Sequence, residues 1–128
     1  GWGEADLVNR WRETEIAVSR DAPLAPLERI AAEHGLEVVD TGYAYHVKST
    51  AQSKGRALEV VGADLGVDLD ACVAVGDSTN DVSTFDRVGR SVAVANADDE
   101  ALAAADHATD ASFGEGFLEA VAWFAERA

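Results

Sequence analysis

Apolar positions recur with two different periods along the chain, and each period predicts a type of element. Over the first fifty residues the pattern predicts a mixture of short helices and strands. These are the end of a helix at 4–11, a strand at 13–19, a helix from about Pro26 to His34, and strands at 36–39 and 43–48. Gly35 is expected to end the helix, and Asp40, Thr41 and Gly42 between the last two strands predict a hairpin.

From residue 53 onward the predicted helices and strands alternate. The helices are expected at 53–65, 79–88, 98–105 and 115–127, and the strands at 71–75 and 91–95. The strand at 71–75 is entirely apolar, which is expected where both faces of a sheet are covered. This alternation predicts an α/β fold with a parallel sheet.

Composition restricts the function more than the fold. The chain has 128 residues, of which 48% are apolar and 27% charged, as is typical of a soluble globular protein. No apolar run approaches the roughly 18 to 20 residues of a membrane-spanning helix. Residues 1–12 lack the pattern of a secretory signal, so a cytoplasmic location is expected. The single cysteine, Cys72, excludes an intrachain disulfide and a cysteine-based zinc site.

The charge of the chain is strongly negative. Twenty-four acidic residues against ten basic ones give a formal charge of -14, which argues against binding to nucleic acid or to an anionic membrane. The acidic residues are scattered along the chain rather than gathered in a tail. We interpret them as a solvated surface adapted to high salt, with an ordinary acidic surface as the alternative.

If this surface is an adaptation to salt, KCl should stabilise the protein. We expect the melting temperature to rise as KCl approaches molar concentrations, because the screening length falls from about 10 Å at 0.1 M to about 3 Å at 1 M salt. Thermal melts followed by circular dichroism across a KCl series measure this effect. A melting temperature that stays constant or falls would remove the high-salt interpretation.

The segment 71–81 carries the most informative chemistry. A strand that ends at Gly76 would place Asp77 at its carboxyl end and Asp81 in the first turn of the next helix. Ligands of open α/β sheets bind at this edge, and two carboxylates that converge there suit Mg²⁺. The structural alternative is that Asp77 makes the turn and Asp81 favours the helix dipole. Asn96, after the next strand, is expected to cap the following helix, with a place in the site as the alternative.

This segment resembles the GDSxND form of the fourth motif of the haloacid dehalogenase-like phosphohydrolases, at residues 76–81. Residues 53–58 resemble the lysine-bearing third motif of that family, with Lys54 as the lysine. Further segments follow the order seen in the Cof-like branch, at 92–97, 105–109 and 114–117. Within this branch, Thr14 with Glu15 and residues 40–47 look most like archaeal-type phosphoglycolate phosphatases.

The resemblance implies a Rossmann-like parallel-sheet core and an α/β cap. Residues 1–49 would be the C-terminal part of the cap, and residues 50–128 the C-terminal part of the core. Members of the family begin with a strand that ends in Asp-x-Asp, whose first Asp is the nucleophile. The Asp-x-Asp of this chain, at 68–70, comes before a strand instead and is expected to be a loop. The chain therefore resembles the back half of a phosphatase, and by itself it is expected to be inactive.

The resemblance also assigns the site residues. Lys54 would bind the substrate phosphate and act in catalysis, with a solvated helix-start cation as the alternative. Asp77 would be catalytic and, with Asp81, would hold Mg²⁺ or its bound waters. Asn80 would assist substrate binding by orienting a carboxylate or the lysine. The implied partners are a small phosphorylated metabolite and the missing N-terminal half of the same fold.

Alternatives to this interpretation stay open. The substrate is phosphoglycolate or a sugar phosphate. A second class of function is a non-catalytic remnant of the fold, or an interaction module that forms a homodimer over an exposed sheet edge. A distant third is a retroviral-type aspartic protease protomer, from the Asp40-Thr41-Gly42 sequence, which the predicted helix content disfavours.

Overall fold

The computed structural model describes residues 9–128. The chain divides into two compact units, of which one ends at Gln52 and the other spans Ser53–Ala128. Of the helix expected at 4–11, residues 4–8 lie outside the described residues, and residues 9–11 form a turn. The assignment of residues 1–49 and 50–128 to cap and core stays a prediction. Within residues 9–128, no helix is both long and apolar enough to cross a membrane.

The first unit is a three-stranded antiparallel sheet with one helix. Its elements are β1 (Glu15–Val18), α1 (Leu24–Glu33), β2 (Leu36–Asp40) and β3 (Tyr45–Ser49), and the strands lie in the order β1-β3-β2. Tyr45 and Val47 of β3 are buried with Leu27 and Ala31 of α1. The helix therefore packs its apolar stripe on one face of this sheet.

The hairpin predicted between β2 and β3 is confirmed. The Thr41 amide donates to the Ala44 carbonyl at 3.1 Å, and the Asp40 carboxylate accepts from the Gly42 amide at 2.9 Å. Gly42 has a φ of 81°, which a residue without a Cβ adopts at little cost. The Asp-Thr-Gly sequence is thus a turn in a mixed α/β unit, and the aspartic protease interpretation loses its support.

The second unit is a parallel three-stranded sheet with helices between the strands, and this confirms the predicted α/β fold. Its elements are α2 (Lys54–Leu65), β4 (Val73–Gly76), α3 (Val82–Phe85), β5 (Arg90–Ala93), α4 (Asp99–Ala104), β6 (His107–Ala108) and α5 (Phe113–Ala125), with 3-10 turns at Leu69–Ala71 and Thr79–Asp81. The strand order is β4-β5-β6. Val92 and Ala93 of the central strand are fully buried, so the core of this unit lies along β5.

Among the elements that are shorter than the sequence pattern indicates, two have a visible cause. The strand expected from residue 71 begins at Val73, because the Asp68 carboxylate accepts from the Asp70 amide and caps the 3-10 turn before it. The helix expected over 79–88 divides into a 3-10 turn and the single turn of α3. The chain then reverses at Gly89, whose amide bonds the carbonyls of Leu69 and Cys72 at 3.1 Å each. A local cap thus shortens the strand, whereas long-range backbone bonds at Gly89 follow the shortened helix.

Among residues 9–128, no strand pairs with the outer edge of β4, which we call its open edge. The carbonyls of Cys72 and Gly76 accept from amides of the β5 side. Because backbone groups alternate in direction along a strand, those of Val73 and Val75 face the opposite, unpaired edge. Val73 is 50% exposed and the other residues of β4 are half-buried, so the expected covering of both sheet faces is present only in part. Its apolar sequence instead fits a strand with a further neighbour.

Candidate functional site

A cleft of about 480 Å³ opens at the carboxyl ends of β4 and β5. Its polar lining includes three of the four residues that the sequence singled out as site residues, namely Lys54, Asp77 and Asp81. The rest of the lining is Val75, Gly76, Val94, Asn96, Phe113, Gly114 and Phe117. Residues as far apart in the chain as Lys54 and Phe117 thus meet at the sheet edge where ligands of parallel α/β folds bind.

Asp81 is the most firmly held carboxylate of the cleft, with a side chain only 13% exposed. Its Oδ1 accepts from the Lys54 ammonium at 2.5 Å, and its Oδ2 accepts from the amides of Asp77 and Ser78 at 3.0 and 3.3 Å. Burial raises the pKa of Asp81, but the Lys54 and backbone bonds together lower it below its ordinary value. Asp81 is therefore ionised and fixes the turn that Asp77 begins.

Steric contact with Asp81 explains why residue 76 is a glycine. A Cβ at Gly76 would lie 2.6 Å from Oδ2 of Asp81 and 2.7 Å from the Asp81 Cβ. The Asp81 side chain folds back over the end of β4 only because residue 76 has no side chain. A glycine five residues before Asp81 therefore allows the Asp81 carboxylate to reach the Asp77 amide.

Lys54 is placed by the packing of the first turn of α2. The Ser53 hydroxyl caps this helix by accepting from the Arg56 amide at 3.1 Å. The Gly55 amide donates to the Ser83 hydroxyl at 3.0 Å, so the helix start lies against α3. The Lys54 side chain is 53% exposed, which leaves its ammonium, bound to Asp81, accessible to an anion in the cleft.

Asp77 contributes an uncommitted carboxylate. Its amide donates to Asp81, and its carbonyl accepts from the Asp98 amide at 3.0 Å. Among residues 9–128 the Asp77 carboxylate has neither a hydrogen-bond nor an ion-pair partner. The backbone of Asp77 is thus held on both sides while its side chain stays available as an oxygen donor.

Two asparagines, Asn80 and Asn96, lie close to the turn and the cleft. The Asn80 amide oxygen accepts from the Ser78 hydroxyl at 2.7 Å, and Asn80 lies outside the cleft lining, so its role in substrate binding stays a prediction. Asn96 was expected to cap α4, but Asp98 does so, accepting from the Ala101 amide at 2.8 Å. Asn96 lines the cleft instead and accepts from the Phe113 amide at 2.7 Å.

Phe113 is a cleft residue that the sequence analysis missed. Its φ is 53°, an uncommon conformation for a residue with a side chain. The bond from its amide to Asn96 holds this conformation. No local sequence signal marks the position, because left-handed backbone is ordinarily read from glycine or asparagine.

The donors of the cleft fit a hard divalent cation only in part. In the part of the chain that the structure describes, no group of three or more His, Cys, Asp or Glu is arranged to hold a metal. Asp77 offers a free carboxylate, whereas both oxygens of Asp81 have partners. Because Mg²⁺ is commonly bound by one or two carboxylates together with waters and phosphate oxygens, this pair fits Mg²⁺ as part of a site.

Comparisons with known proteins agree with this geometry. The haloacid dehalogenase-like hydrolase family model matches residues 29–121. Phosphoglycolate phosphatase of Halobacterium salinarum is 60% identical over 121 residues, which cover 94% of this chain and 54% of that protein. Phosphoglycolate phosphatase of Haloarcula marismortui is 58% identical over 122 residues, which cover 95% of this chain and 54% of that protein. The chain spans about half the length of the curated relatives it matches.

Solved structures show the same fold. The crystal structure of Thermoplasma acidophilum 0175 aligns with a TM-score of 0.79 and 27% identity, covering 94% of this chain and 54% of that one. A haloacid dehalogenase-like hydrolase from Bacteroides thetaiotaomicron aligns with a TM-score of 0.74 and 23% identity, covering 94% and 48%.

Proposed function

Because the chain belongs to the haloacid dehalogenase-like hydrolases, we propose that it is the C-terminal part of a Mg²⁺-dependent phosphatase that hydrolyses 2-phosphoglycolate to glycolate and phosphate. The observation that carries this proposal is the cleft in which Lys54, Asp77 and Asp81 meet. Two relatives near 60% identity named phosphoglycolate phosphatase support the substrate. Sugar phosphates are the competing substrates.

The residues of the cleft suit the charge of a phosphate ester. The Lys54 ammonium would bind an equatorial phosphate oxygen, exchanging part of its contact with Asp81 for the substrate. The carboxylates of Asp77 and Asp81 would hold Mg²⁺. When bound, Mg²⁺ acts as a Lewis acid that stabilises charge developing on the phosphoryl oxygens. The side chains of Phe113 and Phe117 line the same cleft and would limit the space beside the phosphate.

The unpaired backbone groups at the open edge of β4 could pair with a strand from a partner. We propose that the missing N-terminal half of the fold adds a strand there, paired with the free backbone groups of Val73 and Val75. This strand would bring the nucleophilic Asp-x-Asp beside the carboxyl end of β4, where Asp77 lies. A non-catalytic module would use the same edge to form a homodimer, and the exposed edge is the observation that favours this second candidate.

A chimera tests the function. The front half of the Halobacterium salinarum relative, joined to this chain, is expected to release phosphate from 2-phosphoglycolate with Mg²⁺. Asp77→Asn should lower kcat by about 100-fold or more, since single groups that stabilise transition-state charge contribute about 10² to 10³. Asp99→Asn, an equal loss of charge on exposed α4, is the matched control.

The outcomes separate the claims. A folded chimera that hydrolyses sugar phosphates in preference to 2-phosphoglycolate would overturn the substrate. A folded chimera without any phosphomonoesterase activity would overturn the function. A stable homodimer of the unmodified chain, abolished by Val73→Pro at the β4 edge, would favour the interaction module.

A further inference from the structure

One carboxylate outside the cleft lining is bonded to the turn at 77–81. Asp98 lies after β5 and caps α4 through its Oδ1. Its Oδ2 accepts from the Thr79 amide at 2.6 Å and from the Thr79 hydroxyl at 2.9 Å. Its own amide donates to the Asp77 carbonyl at 3.0 Å. A single residue thus joins the connections that follow two neighbouring parallel strands.

These bonds act on the turn that carries the Asp77 carboxylate. Among residues 9–128, the Asp77 carboxylate makes neither a hydrogen bond nor an ion pair. Its position therefore depends on the backbone of residues 77–79. Asp81 holds that backbone from within the turn, and Asp98 holds it from outside. The charge-assisted bond to the Thr79 amide is of the strong class, because one partner is ionised.

Capping of α4 does not account for the whole arrangement. An N-cap carboxylate needs one oxygen, and Oδ1 of Asp98 serves the Ala101 amide. The second oxygen is directed instead at Thr79, 19 residues earlier in the chain. A surface cap would leave that oxygen to water. The two oxygens therefore have separable tasks.

We propose that Asp98 is a positioning residue, which sets the place of the Asp77 carboxylate relative to Asp81 and Lys54 by fixing the backbone of the turn at 77–79. This inference rests on the proposed function, in which these residues bind Mg²⁺ and phosphate. The sequence suggests no such role, because Asp98 reads there as one of several acids at the start of a helix.

Asp98→Asn separates the two tasks. Asparagine caps helices about as well as aspartate, so the Ala101 bond survives. The Asn Nδ2 group then faces the Thr79 amide, and two donors cannot bond. Asp99→Asn is the matched control, since it removes the same charge one residue away. If Asp98→Asn does not fold, Thr79→Val removes the hydroxyl bond from the other side.

The first measurement is structural and needs no activity. Residual dipolar couplings of the amides of residues 77–81 report their orientation in the unmodified chain and in each variant. We expect Asp98→Asn to change these couplings and to speed hydrogen exchange at the Thr79 amide about tenfold, with Asp99→Asn equal to the unmodified chain. Thr79→Val should change the couplings in the same direction by a smaller amount. Unchanged couplings in both Asp98→Asn and Thr79→Val would overturn the proposal.

The second measurement is the affinity for Mn²⁺, detected by water-proton relaxation as a probe of the Mg²⁺ site. Residues that orient metal ligands typically contribute 10- to 100-fold to affinity, so Asp98→Asn should weaken Mn²⁺ binding by about tenfold and Asp99→Asn should not. Mn²⁺ binding that Asp98→Asn leaves unchanged would overturn the proposal. If the unmodified chain binds no Mn²⁺, the same titration is made on the chimera, and absence of Mn²⁺ binding there would overturn the metal part of the proposed function. The dipolar couplings still decide whether Asp98 fixes the turn.

Discussion

The isolated chain is expected to release no phosphate from p-nitrophenyl phosphate or from 2-phosphoglycolate, even with millimolar Mg²⁺. Hydrolysis of the kind that the family resemblance implies requires a carboxylate that attacks phosphorus. The Asp-x-Asp of this chain lies before β4, and Asp68 is engaged in capping a 3-10 turn there. It therefore lies at the opposite end of β4 from Asp77, where the cleft opens.

A colorimetric phosphate assay at high protein concentration measures this expectation. The matched variant is Asp77→Ala, which removes the free carboxylate of the cleft. Equal background rates in both proteins would identify trace contamination as the source. Turnover in the unmodified chain that Asp77→Ala abolishes would show that the cleft is catalytic without the front half. The inference that this chain has no nucleophile would then be wrong.

The sequence predicted the parts of the site whose signals are local. Asp77 and Asp81 follow, at fixed spacing, the apolar strand that ends at Gly76, so their common edge follows from the topology of a parallel sheet. The position of Lys54 needed the family resemblance as well, because no local pattern links it to Asp81, 27 residues later in the chain. The bond between Lys54 and Asp81 joins the start of α2 to the turn at 77–81, so both belong to one site.

The contacts that the sequence did not reveal are all long-range and polar. The Asp98 carboxylate bonds to Thr79, and the Asn96 side chain bonds to the Phe113 amide. Asp and Asn at the start of a helix are interpreted as caps, and only the packed structure shows which backbone amide each one meets. The sequence analysis also missed the two-residue strand β6. This strand exists only because it pairs with Val92 and Ala93 of β5. At these positions the hydrogen-bond partners are set by tertiary structure and not by the local secondary-structure propensity.

Replacing Gly55 with alanine should destabilise the second unit by about 3 kcal/mol, near the upper end of the range for overpacked positions. A Cβ there would lie 1.9 Å from the Ser83 carbonyl oxygen and 2.5 Å from its carbon. Both atoms belong to the backbone, so relief requires α2 and α3 to separate. Helix propensity acts the other way, because alanine is favoured over glycine by about 1 kcal/mol within a helix. Steric overlap with backbone is expected to exceed that gain.

Gly114→Ala is the matched control for this prediction. Gly114 lies in α5 with a negative φ, and nothing lies within 4 Å of the position that its Cβ would take. The same substitution there should leave stability unchanged or raise it slightly. Urea unfolding followed by circular dichroism compares the two variants with the unmodified chain. Because the start of α2 carries Lys54, separation of α2 from α3 should also weaken its bond to Asp81. A Gly55→Ala protein as stable as Gly114→Ala would contradict the close approach of α2 to α3 on which the geometry of the cleft depends.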